Sequence, residues 1–153
     1  MQSSTQPAAE ANRNIDLLLA KYAESHLNPT NEWIHIFCVP AIVFSALGMF
    51  WSIHPLVAVA VAVMSLLYYF SLSLPFALAM LIMSGSMLGL LYFIPHAWVF
   101  QFSLSIFVLA WIGQFIGHKI EGKKPSFFDD LRFLLIGPLF VLGFLFRKLG
   151  VKY

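Results

Sequence analysis

The sequence predicts an all-α integral membrane protein: a four-helix bundle with an N-terminal amphipathic helix and a short C-terminal re-entrant or interfacial helical element. Three observations carry this. Of 153 residues, 60% are hydrophobic and only 10% charged, against about 25% charged in an ordinary soluble domain. The charges are segregated, because residues 33–118 contain no Asp, Glu, Lys or Arg. Such a stretch cannot form the surface of a small water-soluble domain. Four apolar runs follow one another within it, each near the roughly 20 residues that cross about 30 Å of hydrocarbon.

Residues 1–10, MQSSTQPAAE, read as a disordered tail, and residues 11–153 as a single transmembrane domain. The tail has no basic segment leading into an apolar one, so no cleaved signal peptide is expected. Residues 11–26 place Ile15, Leu18, Leu19 and Tyr22 at helical spacing, interleaved with Arg13, Asp16, Lys21 and Glu24. That is an amphipathic helix, long enough to lie in the interface and too polar to cross it.

Asn28-Pro29 restarts the chain. Asn is a good N-cap, Pro suits the first helical position, and Glu32 in the first turn is favoured by the helix dipole. The spans are expected over about 33–53, 56–74, 76–94 and 98–118, separated by His54-Pro55, by Ser71, Ser73 and Pro75, and by Pro95-His96. Trp33, Trp51, Tyr92 and Trp98 sit near span ends, as an aromatic belt requires. Residues 133–146 are apolar but short, and Gly137-Pro138 breaks the run. That length favours an interfacial or re-entrant element over a crossing. Gly85/Gly89 and Gly113/Gly117 are small residues at four-residue spacing, a weak signal for close helix contact.

Four crossings place the N-terminal segment, the 119–132 loop and the tail on one side, and all nine Lys and Arg with them. The positive-inside rule makes that side cytoplasmic. A fifth crossing would export Arg147, Lys148 and Lys152. The net charge of +2 and the absence of a dense basic patch exclude a nucleic-acid partner. The single cysteine, Cys38, excludes an internal disulfide and a thiolate-rich metal site, and is read as a packing residue.

The even number of crossings brings the start of the first span and the end of the fourth to one face. His26 and His35 bracket the first position, and His118 and Glu121 mark the second. Gln114, His118 and Glu121 are separated by four and three residues, so they form one helical stripe, as do Asn31 and His35. An imidazole that far below a helix start is costly without a partner. Imidazoles with a carboxylate suit a first-row transition metal, and sets with open positions suit non-haem iron. Asn31 and Gln114 would then orient the ligands. Any one of these histidines alone is more simply a hydrogen-bonded interfacial residue. It is the convergence of three with Glu121 that points to a metal. His54 and His96, at the opposite face, are read as helix-end polar residues. Lys119, Lys123 and Lys124 form an ordinary positive-inside loop, although they could also meet an anionic head group. Asp129 and Asp130 are read as caps of the following helix rather than as catalytic groups.

At these residues the sequence resembles a known family. The stretch YAESHLNPTNEWIHIFCVP is similar to its first motif, and QFIGHKIEGKKPSFFDDLRFLLIGPLF to its second, Gln-x-x-Gly-His-x-x-Glu with a later Gly-Pro-x-Phe. The family is that of the membrane-embedded 2-hydroxy fatty acid dioxygenases, typified by the yeast enzyme of phytosphingosine breakdown, and the resemblance spans roughly residues 14–145. It implies an Fe(2+)-dependent dioxygenase of fatty-acid α-oxidation, taking a 2-hydroxy fatty acid and O2 to an acid one carbon shorter and CO2. It also implies that His26, His35, His118 and Glu121 are the metal-binding and catalytic residues. A bacterial inner membrane is expected, or the endoplasmic reticulum membrane in a eukaryote, with the site facing the cytoplasm.

Two other readings stay open. A transporter for a small solute or metal is disfavoured because histidine is the one ionisable residue type within the spans, and none lies at mid-depth. A non-enzymatic lipid-binding or scaffold protein predicts that the four polar residues tolerate Ala. A serine hydrolase lacks a Ser within helical reach of His35 or His118. Chain length of the substrate, the number of metal ions and a homo-oligomeric state are left open.

Overall fold

In a computed structural model the chain is described over residues 6–24, 26–122 and 133–152, and six helices and no strand occur among the described residues. Helix α1 spans Gln6–Ala23. It begins inside the segment read as a tail, because Pro7 is tolerated in a first turn and Ala8, Ala9 and Glu10 are good helix formers. It ends three residues short of His26. Ile15, Leu19 and Tyr22, at four- and three-residue spacing, are buried while Asp16, Ala20 and Lys21 are exposed. The amphipathic stripe therefore packs on protein, against Tyr69, Phe76, Met80, Leu139 and Phe140.

The four long helices are α2 (Pro29–Ile53), α3 (Pro55–Leu72), α4 (Leu74–Tyr92) and α5 (His96–Glu121), each long and apolar enough to cross a membrane. Their starts follow capping chemistry. The Asn28 side chain accepts the Thr30 N–H at 2.9 Å and Pro29 opens α2. His54 ends α2, and its Nδ1 accepts the Leu56 N–H at 3.2 Å to start α3. That is the helix-end role expected of it. Ser73 divides α3 from α4, and Gly122, at φ 76, closes α5 in the left-handed conformation that favours glycine.

The polarity of these helices is inside-out relative to a soluble protein. Asn31, His35, Ser45, Ser84, Ser103, Gln114 and His118 are buried, whereas Ile53, Leu56, Met64, Ile82, Phe93 and Trp98 are exposed. Hydrocarbon is the solvent for that outer face, and polar groups turn inward to find partners. This is a membrane protein.

Helices α2 and α5 form the main packed pair. Gly113 and Gly117 are used there: a Cβ on Gly113 would stand 2.6 Å from Cys38 Sγ, and one on Gly117 2.3 Å from Asn31 Oδ1. Gly85 and Gly89 face open space, so their spacing serves no contact among the described residues.

The last helix, α6, spans Gly137–Leu149. The sequence reading had Gly137-Pro138 breaking this run; it starts the helix instead, because proline lacks the N–H that a first turn leaves unused. At 13 residues α6 is too short to cross. It lies across one end of the bundle. Its start meets Tyr22 and Val39, its middle meets Leu19 and Phe76, and its end meets Phe76 through Phe146 and Trp33 through Phe144 and Lys148. These partners belong to α1, to the first three turns of α2 and to the first turn of α4. Tyr69 ties the approach to α6 onto α3, donating its hydroxyl to the Leu135 carbonyl at 2.9 Å. Lys123, Lys124, Asp129 and Asp130 lie outside the described residues.

Candidate metal centre

Three side chains meet where α1 gives way to α2 and α5 comes to its end. His26 sits in the turn after α1, its backbone N–H on the Ala23 carbonyl at 2.9 Å. His35 lies in the second turn of α2, and His118 one turn from the end of α5. Their exposures are 7%, 1% and 5%. One ring nitrogen from each lies within 4.8 Å of those of the others. The ring centroids are 4.1 Å apart for His26 and His35, 5.0 Å for His35 and His118, and 5.7 Å for His26 and His118.

The proton positions on two rings follow from their partners. His26 Nδ1 is 2.8 Å from the Tyr22 carbonyl and His35 Nδ1 is 2.9 Å from the Asn31 carbonyl. A carbonyl only accepts, so each Nδ1 carries the hydrogen and each Nε2 keeps its lone pair. Such an orienting bond is what a metal-binding imidazole requires. Tyr22 also stacks on the His26 ring, 4.4 Å between centroids and 9° from parallel.

These three residues fit a first-row divalent ion. Nitrogens about 2.1 Å from one ion lie roughly 3–4 Å from each other, which small rotations from the observed spacing reach. Three imidazole ligands would leave coordination positions open, as a catalytic rather than a closed structural site requires.

Glu121 is placed outside this cluster. Its Oε1 accepts the Leu27 N–H at 3.0 Å, and its Oε2 accepts the Asn28 N–H at 2.9 Å and the Asn31 Nδ2–H at 3.0 Å. The carboxylate thus clamps the His26–Asn31 segment to the end of α5. The sequence reading had Glu121 among the ligands; in the structure, donors approach both of its oxygens. Asn31, fully buried, joins that clamp to α2, with its side-chain oxygen against Gly117. Gln114, 4% exposed, makes no side-chain hydrogen bond to the histidines, and its Oε1 has no hydrogen-bond partner. Lys119 and His96 are exposed, and Cys38 packs against α5 at Gly113.

The sequence reading met Tyr22 as the opening residue of the first motif and gave it no place among the site residues. Tyr22 stands four residues before His26, and that spacing was the available signal.

The chain was compared with known proteins. A family model described as 2-hydroxy-palmitic acid dioxygenase Mpo1-like matches residues 13–149. The Saccharomyces cerevisiae protein named 2-hydroxy-palmitic acid dioxygenase MPO1 is 34% identical over 142 residues, covering 86% of this chain and 79% of the yeast one. No solved structure matches. With a match that spans nearly the whole bundle and includes all three histidines, the chain belongs to the Mpo1-like family.

Proposed function

We propose that the protein is an iron(II)-dependent dioxygenase of fatty-acid α-oxidation. It converts a 2-hydroxy fatty acid and O2 to the fatty acid one carbon shorter, CO2 and water. The observation that carries this reading is the convergence of three buried imidazoles, two with their protons fixed on Nδ1, in a chain of this family. His26, His35 and His118 would hold the metal. Bound there, iron(II) supplies O2 activation and a Lewis acid for the substrate's oxygens.

The chain's own residues do the rest. The Tyr22 and Asn31 carbonyls hold the His26 and His35 rings in one tautomer. Glu121 and Asn31 hold the His26 turn against α5. The burial of all three rings keeps bulk water from the reacting carbon. A site at the end of the bundle suits an amphiphile whose carboxylate stays near water while its chain stays in the apolar region. On the positive-inside rule this end faces the cytoplasm, at a bacterial inner membrane or, in a eukaryote, the endoplasmic reticulum.

The test is paired. Iron content and oxygen-dependent shortening of a 2-hydroxy fatty acid are measured for the wild type and His118→Ala. Loss of both in the variant is expected. Unchanged iron and turnover would defeat the assignment.

A further inference from the structure

One side chain removed from the histidines, none of which lines it, is a small cavity whose wall includes Tyr22, Trp111, Gln114, Leu134 and Gly137. Two of its lining residues reach toward them: Tyr22 stacks on His26, and Gln114 lies one turn from His118 on α5. Its volume is about 20 Å³, enough for one water-sized group and little more. Among its lining side chains Gln114 stands out. It is 96% buried, and its carbonyl oxygen accepts no hydrogen bond. A buried amide oxygen left this way is costly, so such atoms are normally satisfied by protein, water or ligand.

Leu134 belongs to two spaces at once. On its other side lies an apolar groove of about 110 Å³ between α2, α3 and α4, lined by Val43, Leu47, Ala62, Leu66 and Tyr69 among others. The three hydroxyls in that groove are committed, Ser65 to the Val61 carbonyl, Ser84 to the Met80 carbonyl and Tyr69 to the Leu135 carbonyl. The groove therefore offers nothing but hydrocarbon contact. Histidines, one unsatisfied acceptor and a hydrocarbon groove follow one another, with Leu134 between the last two.

We infer that Gln114 is the residue that recognises the 2-hydroxyl of the fatty acid, its Oε1 accepting the hydroxyl proton, while the acyl chain passes Leu134 into the groove. This rests on the proposed dioxygenase reading. A hydroxyl that donates to Gln114 keeps its oxygen lone pairs available to the metal side of the site. An acid without the hydroxyl leaves the Gln114 oxygen unsatisfied, and that penalty is the source of discrimination. Gln114 is thus assigned a contact with the substrate rather than the orientation of a histidine.

The experiment uses the full chain in detergent under anaerobic conditions, with and without a chelator, so that nothing turns over. Displacement of a fluorescent fatty acid by 2-hydroxyhexadecanoate and by hexadecanoate gives the selectivity. The wild type is expected to prefer the hydroxy acid by about five- to tenfold, the range of one hydrogen bond. In Gln114→Leu and Gln114→Met the ratio should fall to near one through weaker binding of the hydroxy acid, with hexadecanoate affinity kept. Leu134→Trp should shift the preference of either acid toward shorter chains. Retained selectivity in both Gln114 variants overturns the inference while leaving the dioxygenase reading intact. A wild type that binds neither acid overturns both. A water molecule as the sole occupant of the cavity would show as a wild-type ratio of one, which also overturns it.

Discussion

Asn31 and Glu121, 90 residues apart in the chain, are joined by a 3.0 Å hydrogen bond from the amide to the carboxylate. The same carboxylate takes the N–H groups of Leu27 and Asn28. One acidic group at the end of α5 therefore fixes both the turn that carries His26 and the start of the helix that carries His35. The histidines are held together by a clamp that does not itself belong to them.

The clamp makes a definite prediction. Glu121→Ala should lower metal affinity by about 10- to 100-fold, the usual effect of losing a group that positions a ligand. Metal stoichiometry at saturation should be kept. Calorimetric titration distinguishes this from ligand loss, where saturation itself fails; loss of stoichiometry would make Glu121 a ligand after all.

His35→Ala removes a ligand side chain that is almost fully buried. Bound metal should drop to background in elemental analysis of the purified protein. His54→Ala serves as the control, because His54 caps α3 at the other end of the bundle. It should keep the metal and lose about 0.5–2 kcal/mol of stability, as cap removal does.

Gly117→Ala should be far worse than Gly85→Ala. The added methyl at 117 meets Asn31 Oδ1 at 2.3 Å and the His35 ring at 3.4 Å, while the one at 85 meets nothing within 4 Å. Overpacking of that kind costs about 1–3 kcal/mol, and metal affinity should fall with it. Thermal unfolding in detergent, with and without metal, reads both effects. Equal behaviour of the two variants would contradict the close approach of α2 and α5.

Much of this arrangement could be read from the chain alone, because the parity of four apolar runs brings His26, His35 and His118 to one end whatever the packing details. The hydrogen bonds of Glu121 could not. A carboxylate three residues after a histidine looks the same whether it faces a cation or a row of N–H donors, and the answer depends on how closely the 26–28 turn approaches. Gly137-Pro138 was ambiguous for a similar reason. The pair can stop a helix that precedes it or start one that follows, and here it opens α6. The early start of α1 was hidden by polar residues that are also good helix formers.

Tyr69→Phe should cost about 1 kcal/mol, the net worth of its hydroxyl bond to the Leu135 carbonyl. Because that bond secures the segment carrying Leu134, the variant should also bind long-chain acids less selectively than short ones. Thermal unfolding and chain-length competition measure the two separately.

Labelling of single cysteines, in a background with Cys38 replaced by Ala, should find Asp16→Cys and Gly150→Cys in one compartment and His96→Cys in the other. Finding residues 16 and 150 on opposite sides would require α6 to cross, against its contacts with Trp33 near the start of α2 and Phe76 at the start of α4.

The main-chain acceptors behind His26 and His35 carry a last consequence. In many such centres a carboxylate or amide side chain sets the basicity of the imidazole, and point mutation can retune it. Here the partner is peptide backbone four residues upstream, present whatever amino acid stands at 22 or 31. The donor strength of these two rings is therefore inherited with the course of the chain, and sequence drift at those positions leaves it in place. Adjusting the reactivity of this centre by evolution or engineering has to go through His118 or through the walls around it.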